Sequence, residues 1–454
     1  MANSYLQRTT GTPDSQTQFT VSAWVKRSKL SSSDNMEIFC IYSDSSNRMH
    51  LRFQEDDIDV INYGGSTQAR LTTDRKFRDA SSWYHIVWRV DTTLATADDR
   101  VRLYINGVQE TSFGSRTNPS QNFSFGTNWN TTRIGLDNAS SYFHGYISHI
   151  AYADGQSLAP TEFGETDSTS GIWKFKSPTG VTWGTNGFHL KFENSGALGT
   201  DSSGNSNTFT VNGNLKQAID NPSNVHCTLN PLHAQIGGAT LTNGNGLLTT
   251  TAQSGGPYTG TTGTTLAFNK GKWYWEAKML TAPSTYPTFG VGQINNLVTG
   301  SNQYLDDINN FTCISLSAAN AGNNFRRTGR SSQEKTTGTF ATNDIIMCAF
   351  DYDNDKIWFG KNGTWFESGD PSNGTNPLES GFLSAITPDD DMVMPYFGDG
   401  NYSSSCEIAT NFGNGFFGTT AITSAGSNGN GSLFEYDVPT GFYALNTKNI
   451  NTYG

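Results

Sequence analysis

Two stretches of the chain repeat one pattern: WYHIVWRVDTT…DRVRLYINGV, from Trp83 to Val108, and DIIMCAFDYDNDKIWFGKNGTW, from Asp344 to Trp365. Each is an apolar, aromatic-rich run, a turn containing Asp, a second alternating run, and then Asn-Gly. Runs of β-branched and aromatic residues closed by such turns predict antiparallel hairpins. Side chains alternate along a strand, so Leu103 and Ile105 share one face while Tyr104 and Asn106 take the other. Two copies set far apart in a chain of 454 residues predict two β-sandwich modules. The fold class expected is all-β, with two antiparallel β-sandwich (jelly-roll) domains joined by a β-rich connector.

Composition narrows the function. Only 15% of residues are charged and 12% are aromatic. Low charge with abundant Gly, Ser, Thr and Asn would suit disorder, but regularly spaced aromatic runs call for a packed interior. A net charge of -11, with no basic run longer than Lys26-Arg27 or Arg326-Arg327, argues against nucleic-acid binding, which needs clustered cations. MANSYLQRTT lacks the apolar core of a secretory signal, and no run approaches the length of a membrane span, so neither is expected. The five cysteines, Cys40, Cys227, Cys313, Cys348 and Cys406, are odd in number and far apart. That spacing predicts buried thiols of a reducing cytosol, with no disulfide, no metal and no cofactor.

Four segments are expected. Residues 1–165 form the first sandwich, beginning with the alternation of Phe19, Val21, Ala23 and Val25, a half-buried strand. Residues 166–235 form an ordered connector in which Phe188, Leu190 and Phe192 alternate, as do Phe209 and Val211. Residues 236–420 form the second sandwich, and 421–454 a tail that opens on the low-complexity AGSNGNGS.

FTVSAWVKRS, WYHIVWRVD…VRLYINGV and RIGLDNASSYFHGYISHIAYADGQSLAPTEF together resemble a laminin-G/concanavalin-A-like jelly roll across nearly the whole first module. KWYWE, FGVG and IWFGKNG, at Lys272–Glu276, Phe289–Gly292 and Ile357–Gly363, resemble in that order a SPRY/B30.2 domain. With the connector DSSGNSN…DNPSN…CTLNPL and the terminal VPTGFYALNTKNINTYG, the full arrangement resembles structural proteins of tailed phages of marine bacteria. That resemblance implies a virion component made in the bacterial host cytoplasm.

Concanavalin-like glucanases carry Glu-x-Asp-x-x-Glu on a strand, so that alternate carboxylates face one cleft. Here Glu55 and Asp57 fit, but Val60 stands where the last acid belongs, and Asp59 shares the face of Asp57. Glycoside hydrolysis needs two placed carboxylates, so the run reads as a charged edge strand and no enzyme is expected. Asp351, Asp353 and Asp355 lack the Gly and Glu of a calcium loop, and Asp389–Asp391 form a loose acidic loop. His144 and His149 are expected on opposite strand faces, and His85 in the core; no catalytic Ser-His-Asp motif is present. Aromatic residues in Asn/Gly-rich loops are the better candidates. Trp129, Tyr142 and Trp365 offer ring faces for sugars, with neighbouring amides and carboxylates for hydrogen bonds.

The expected function is that of a bacteriophage virion protein, in a tail fibre or capsid-surface appendage, that binds host-surface glycan through many weak sites. Its partners would be other virion proteins, host-surface glycan and further copies of itself. Two other readings stand beside it: a capsid decoration protein using both sandwiches for protein–protein packing, and a glycan depolymerase.

Overall fold

The computed structural model of the protein describes residues 4–30, 33–137, 140–233, 239–251, 261–281, 287–293, 313–317, 324–327, 335–336, 340–383, 392–399 and 405–454. These divide into two compact units, Met1–Gln217 and Ala218–Gly454. Both are built almost wholly of strands, antiparallel apart from one short pairing.

The first unit opens with β1 (Tyr5–Thr9), β2 (Gln18–Arg27), β3 (Asn35–Asp44), β4 (Asn47–Gln54), β5 (Asp57–Gly64) and β6 (Thr67–Thr73). The predicted hairpin follows as β7 (Tyr84–Asp91) and β8 (Val101–Ile105), with Ile86 opposite Ile105 and Trp88 opposite Leu103. Then come β9 (Val108–Gln109), β10 (Phe113–Thr117), β11 (Thr131–Ile134), β12 (Gly145–Asp154), β13 (Gly164–Thr166), β14 (Trp173–Phe175), β15 (Phe188–Leu190) and β16 (Thr210–Asn212). An eight-stranded sheet runs β10-β6-β5-β4-β3-β11-β1-β16, and a six-stranded sheet runs β15-β12-β2-β7-β8-β9. Leu51, Phe53, Val60 and Leu71 of the first meet Phe19, Val21, Trp88 and Leu103 of the second in one core. Phe19 and Trp88 pack edge to face at 5.2 Å, the arrangement aromatic quadrupoles favour. No sheet closes into a barrel among the described residues.

β2 departs from the expected half-buried strand, because Phe19 to Arg27 are all buried. Its outer face is covered by the segment carrying β14. The Trp173 indole donates to His85 Nδ1 at 2.9 Å, and Trp24 stacks on the same imidazole at 4.6 Å. His85 therefore lies under this cover and not between the sheets. Phe188, Leu190 and Phe209 join the first core, and β15 and β16 extend the two sheets at their edges.

In the second unit a sheet of nine strands carries the second predicted hairpin, Ile345–Asp351 against Lys356–Lys361, beside the central strand Lys272–Met279. It faces a six-stranded sheet built on Pro287–Gln293 and Val393–Asp399. Trp273, Trp275, Phe350 and Phe359 meet Phe289, Val291 and Phe397 between them. The other face of the nine-stranded sheet, with Tyr274, Met347 and Trp358, is covered by Phe434, Val438 and Phe442. The chain ends in α1 (Thr447–Tyr453), whose Asn446 cap accepts the Asn449 N–H at 2.9 Å. No helix among the described residues is long and apolar enough to cross a membrane.

Candidate functional site

The loop from Thr10 to Thr17, between β1 and β2, lines a cleft of about 770 Å³ together with Ser124 and Asn128. Its polar sequence, TGTPDSQT, has no apolar residue to bury, so hydrogen bonds must fix its shape. Asp154, buried at the end of β12, is the anchor. Its carboxylate accepts the N–H groups of Asp14 at 3.0 Å, Asn186 at 3.1 Å and Ser15 at 3.4 Å. Burial raises the Asp154 pKa, and those N–H groups pull against it. Asn186 holds Gly11 twice, accepting its N–H at 2.7 Å and donating to its carbonyl at 3.0 Å. Gln16 and Phe125 exchange further bonds of 3.0 and 2.8 Å, which tie the loop to the opposite wall. The result is a rigid cleft presenting exposed Gly11, Thr12, Asp14, Ser124 and Asn128.

Trp129 follows the lining residue Asn128 in the chain and is itself outside the lining. The ring is half-buried and lies on the backbone of Gly126, where a Cβ would come within 2.3 Å of it. One ring face is thus committed to the fold, and Gly126 is there because nothing larger fits. Tyr142 is elsewhere, 6.4 Å from Tyr5 on the outer side of the eight-stranded sheet and outside the cleft lining. Arg133 stacks on Tyr5 and Tyr42 in the same neighbourhood. Trp365 belongs to the second unit, packed on Tyr274 at 6.3 Å. Trp129 and Tyr142 thus belong to the first unit and Trp365 to the second.

The acidic run is placed differently from its expected strand. Glu55 sits in a turn with φ of 57°, before β5 begins at Asp57. Asp56 pairs with Arg27 at 3.1 Å and Arg78 at 2.7 Å, and Asp57 pairs with Lys76 at 2.7 Å. Asp59 is buried between Arg52 at 2.9 Å and Arg70 at 2.8 Å, and also accepts from Thr72. In the second unit, Asp351 binds Asn354 and Lys272, Asp353 accepts the Gly271 N–H, and Asp355 accepts the Leu383 N–H. Each carboxylate already serves a turn. Asp389–Asp391 lie outside the described residues.

A second cluster was invisible in the linear spacing. Glu37, Cys40 and His50 are all buried, with one ligand-type atom of each within 4.8 Å of the others. His50 Nδ1 lies 2.8 Å from Glu37 Oε2. Residues three apart on a regular strand face opposite ways, but a bulge between Glu37 and Phe39 adds Ile38 to the core side. Glu37 and Cys40 then point to the same outer face, and Cys40 pairs directly with His50. Ser22 and His85, 2.9 Å apart, look superficially similar. There the Trp173 N–H occupies Nδ1, so Nε2 carries the proton and donates to Ser22. That imidazole cannot take a proton from the hydroxyl.

Residues 1–161 match the family model described as the Concanavalin A-like lectin/glucanases superfamily, and residues 272–413 match that of the SPRY domain. Similar solved structures include the SPRY domain of human HERC1, at 17% identity over 40% of this chain and 96% of that one, with a TM-score of 0.27. Domain 4 of AbnA, a GH43 extracellular arabinanase from Geobacillus stearothermophilus in complex with arabinotriose, is 19% identical over 32% of this chain and 65% of that one, with a TM-score of 0.24. A native heptameric SAP-like pentraxin from Limulus polyphemus is 16% identical over 35% of this chain and 72% of that one, with a TM-score of 0.27. No curated protein matches.

These findings correct one expectation. A chain with no catalytic capacity was inferred from the broken acidic motif at Val60. The first module instead matches a superfamily of lectins and glucanases, and its sheet assembles the Glu37–Cys40–His50 cluster that linear spacing hid. Both point toward catalytic capacity.

Proposed function

We propose that the first unit recognises carbohydrate in the cleft between Thr10–Thr17 and Ser124–Asn128, with Trp129, which follows Asn128 in the chain, as its aromatic contact. The observation that carries this is a polar cleft held rigid by Asp154 and Asn186, within a module matching the lectin/glucanase superfamily. A loop whose backbone is already held in place binds sugar hydroxyls at a smaller ordering cost. The setting we propose is a phage virion, where the protein attaches to host-surface glycan. The resemblance of the connector and tail to phage structural proteins supports it. Many copies on one particle would turn weak single sites into firm attachment.

A second reading, glycan depolymerase, is favoured by the superfamily match. One experiment separates the readings. Purified protein is incubated with host-surface polysaccharide, and both retention and new reducing ends are measured. Retention weakened about tenfold by Trp129→Ala or Asn128→Ala supports recognition at the cleft, since one lost stacking or hydrogen-bonding contact is worth roughly 1–2 kcal/mol. Retention that neither substitution changes overturns it. Steady release of reducing ends by the purified protein establishes the depolymerase.

A further inference from the structure

We propose that Glu37, Cys40 and His50 form a binding site for one borderline-soft divalent metal ion of the zinc class, pinning β3 to β4 on the outer face of the eight-stranded sheet. The donor set decides the class of ion. One thiolate, one imidazole and one carboxylate suit Zn²⁺ and its neighbours, whereas Ca²⁺ and Mg²⁺ want several oxygens.

Two independent observations point to a ligand. The first is convergence: the three groups come from two paired strands and lie within 4.8 Å of one another only because of the bulge at Ile38. The second is unused bonding capacity. Glu37 is 0% exposed and His50 1%, yet Glu37 Oε1 and His50 Nε2 have no hydrogen-bond partner. Buried polar atoms without partners cost roughly 1–3 kcal/mol each, so a fold that keeps two of them beside a thiol calls for an explanation. A metal ion supplies the missing partner of Glu37 Oε1 and takes His50 through Nδ1, the ring nitrogen that faces the carboxylate.

Charge also balances. The thiol loses its proton to solvent as the metal–sulfur bond forms, so M²⁺ with one carboxylate and one thiolate is neutral. An apolar-backed, buried position tolerates a neutral complex far better than a net charge. The zero exposure of Cys40 argues against the alternative of a Cys-His-Glu nucleophile, which needs an open approach. Three protein ligands leave the fourth tetrahedral position to another group.

The test uses the full chain, stripped by chelator and titrated with Co²⁺ and then Zn²⁺. The expected result is one ion per chain, a thiolate-to-cobalt charge-transfer band, and displacement of that band by Zn²⁺. Cys40→Ser should abolish the band, and His50→Gln should weaken binding at least tenfold. X-ray absorption of the zinc-loaded wild type needs no variant, and covers the case in which substitution impairs folding. It should show one sulfur at about 2.3 Å and nitrogen or oxygen at about 2.0–2.1 Å. No sulfur in the zinc shell, no stoichiometric binding, or a cobalt band that survives Cys40→Ser overturns the proposal.

Discussion

Asp59 is buried between two guanidinium groups, and its surroundings explain why a carboxylate tolerates that position. Arg52 and Arg70 bind one oxygen each, and Thr72 adds a hydroxyl. Removing the negative charge leaves two partly covered cations facing each other. Asp59→Asn should therefore cost about 3–5 kcal/mol, read as a shift of the urea midpoint. A loss below about 1 kcal/mol would mean that the arginines find solvent instead. The tryptophans of the second unit allow a sharper comparison. Trp273 is fully buried between the sheets, while Trp365 is half-exposed past the Asn362–Gly363 turn. Trp273→Ala should cost about 3–5 kcal/mol and Trp365→Ala clearly less, each by chemical denaturation. Alternation alone placed Trp273 and Trp275 together in the core, where both lie. It also put Tyr274 on the opposite face, but not under Phe434, because a cover arriving 160 residues later leaves no local trace.

Elements were legible where their cause is local. The two hairpins rest on apolar alternation on either side of an Asp-containing turn, and both strand pairs form; each Asn-Gly turn then leads into a further short strand. The bulge in β3 and the β14 cover over His85 rest on contacts between distant segments, and neither leaves a periodic signal. The covering segment of the second unit is the same kind of feature, and it has a titratable anchor. Glu276 accepts the N–H groups of Glu435 and Tyr436, both at 2.9 Å, and the Tyr274 hydroxyl at 2.9 Å. Burial outweighs these donors and raises its pKa from 4.5 to about 7. Folding thus takes up a proton on Glu276. The stabilisation is whole below pH 4.5 and is lost as pH rises through about 7. Calorimetry between about pH 5 and about pH 8 should show the second unit melting lower at the alkaline end, by an amount bounded at roughly 3 kcal/mol. Glu276→Gln should lower stability throughout, since its amide meets donors, yet flatten that pH dependence. An unchanged slope in the variant would assign the effect to other groups.

At the scale of the whole chain, the two halves own separate interiors. The first core draws on residues from Leu6 to Leu215 and the second on residues from Cys227 to Ile450. The division falls between Gln217 and Ala218, inside the stretch read from sequence as a connector. Its first part supplies Phe188, Leu190 and Phe209 to one core, and its last part supplies Cys227 and Leu229 to the other. The connector's small polar residues gave no sign that its two ends join different cores. Chains of this size bury about 70% of the surface they expose when unfolded, which suffices for independent folding. Residues 1–217 and 218–454, expressed separately, should each give a sharp cooperative melt and a β-rich circular dichroism spectrum. The natural alternative cut, after 165, removes β15 and β16 from the first unit's sheets and strips Trp173 from His85. A fragment of residues 1–165 should consequently melt lower than 1–217 and expose apolar surface to dye. Equal melting of the two fragments would show that residues 166–217 only rest on the first unit and do not complete it.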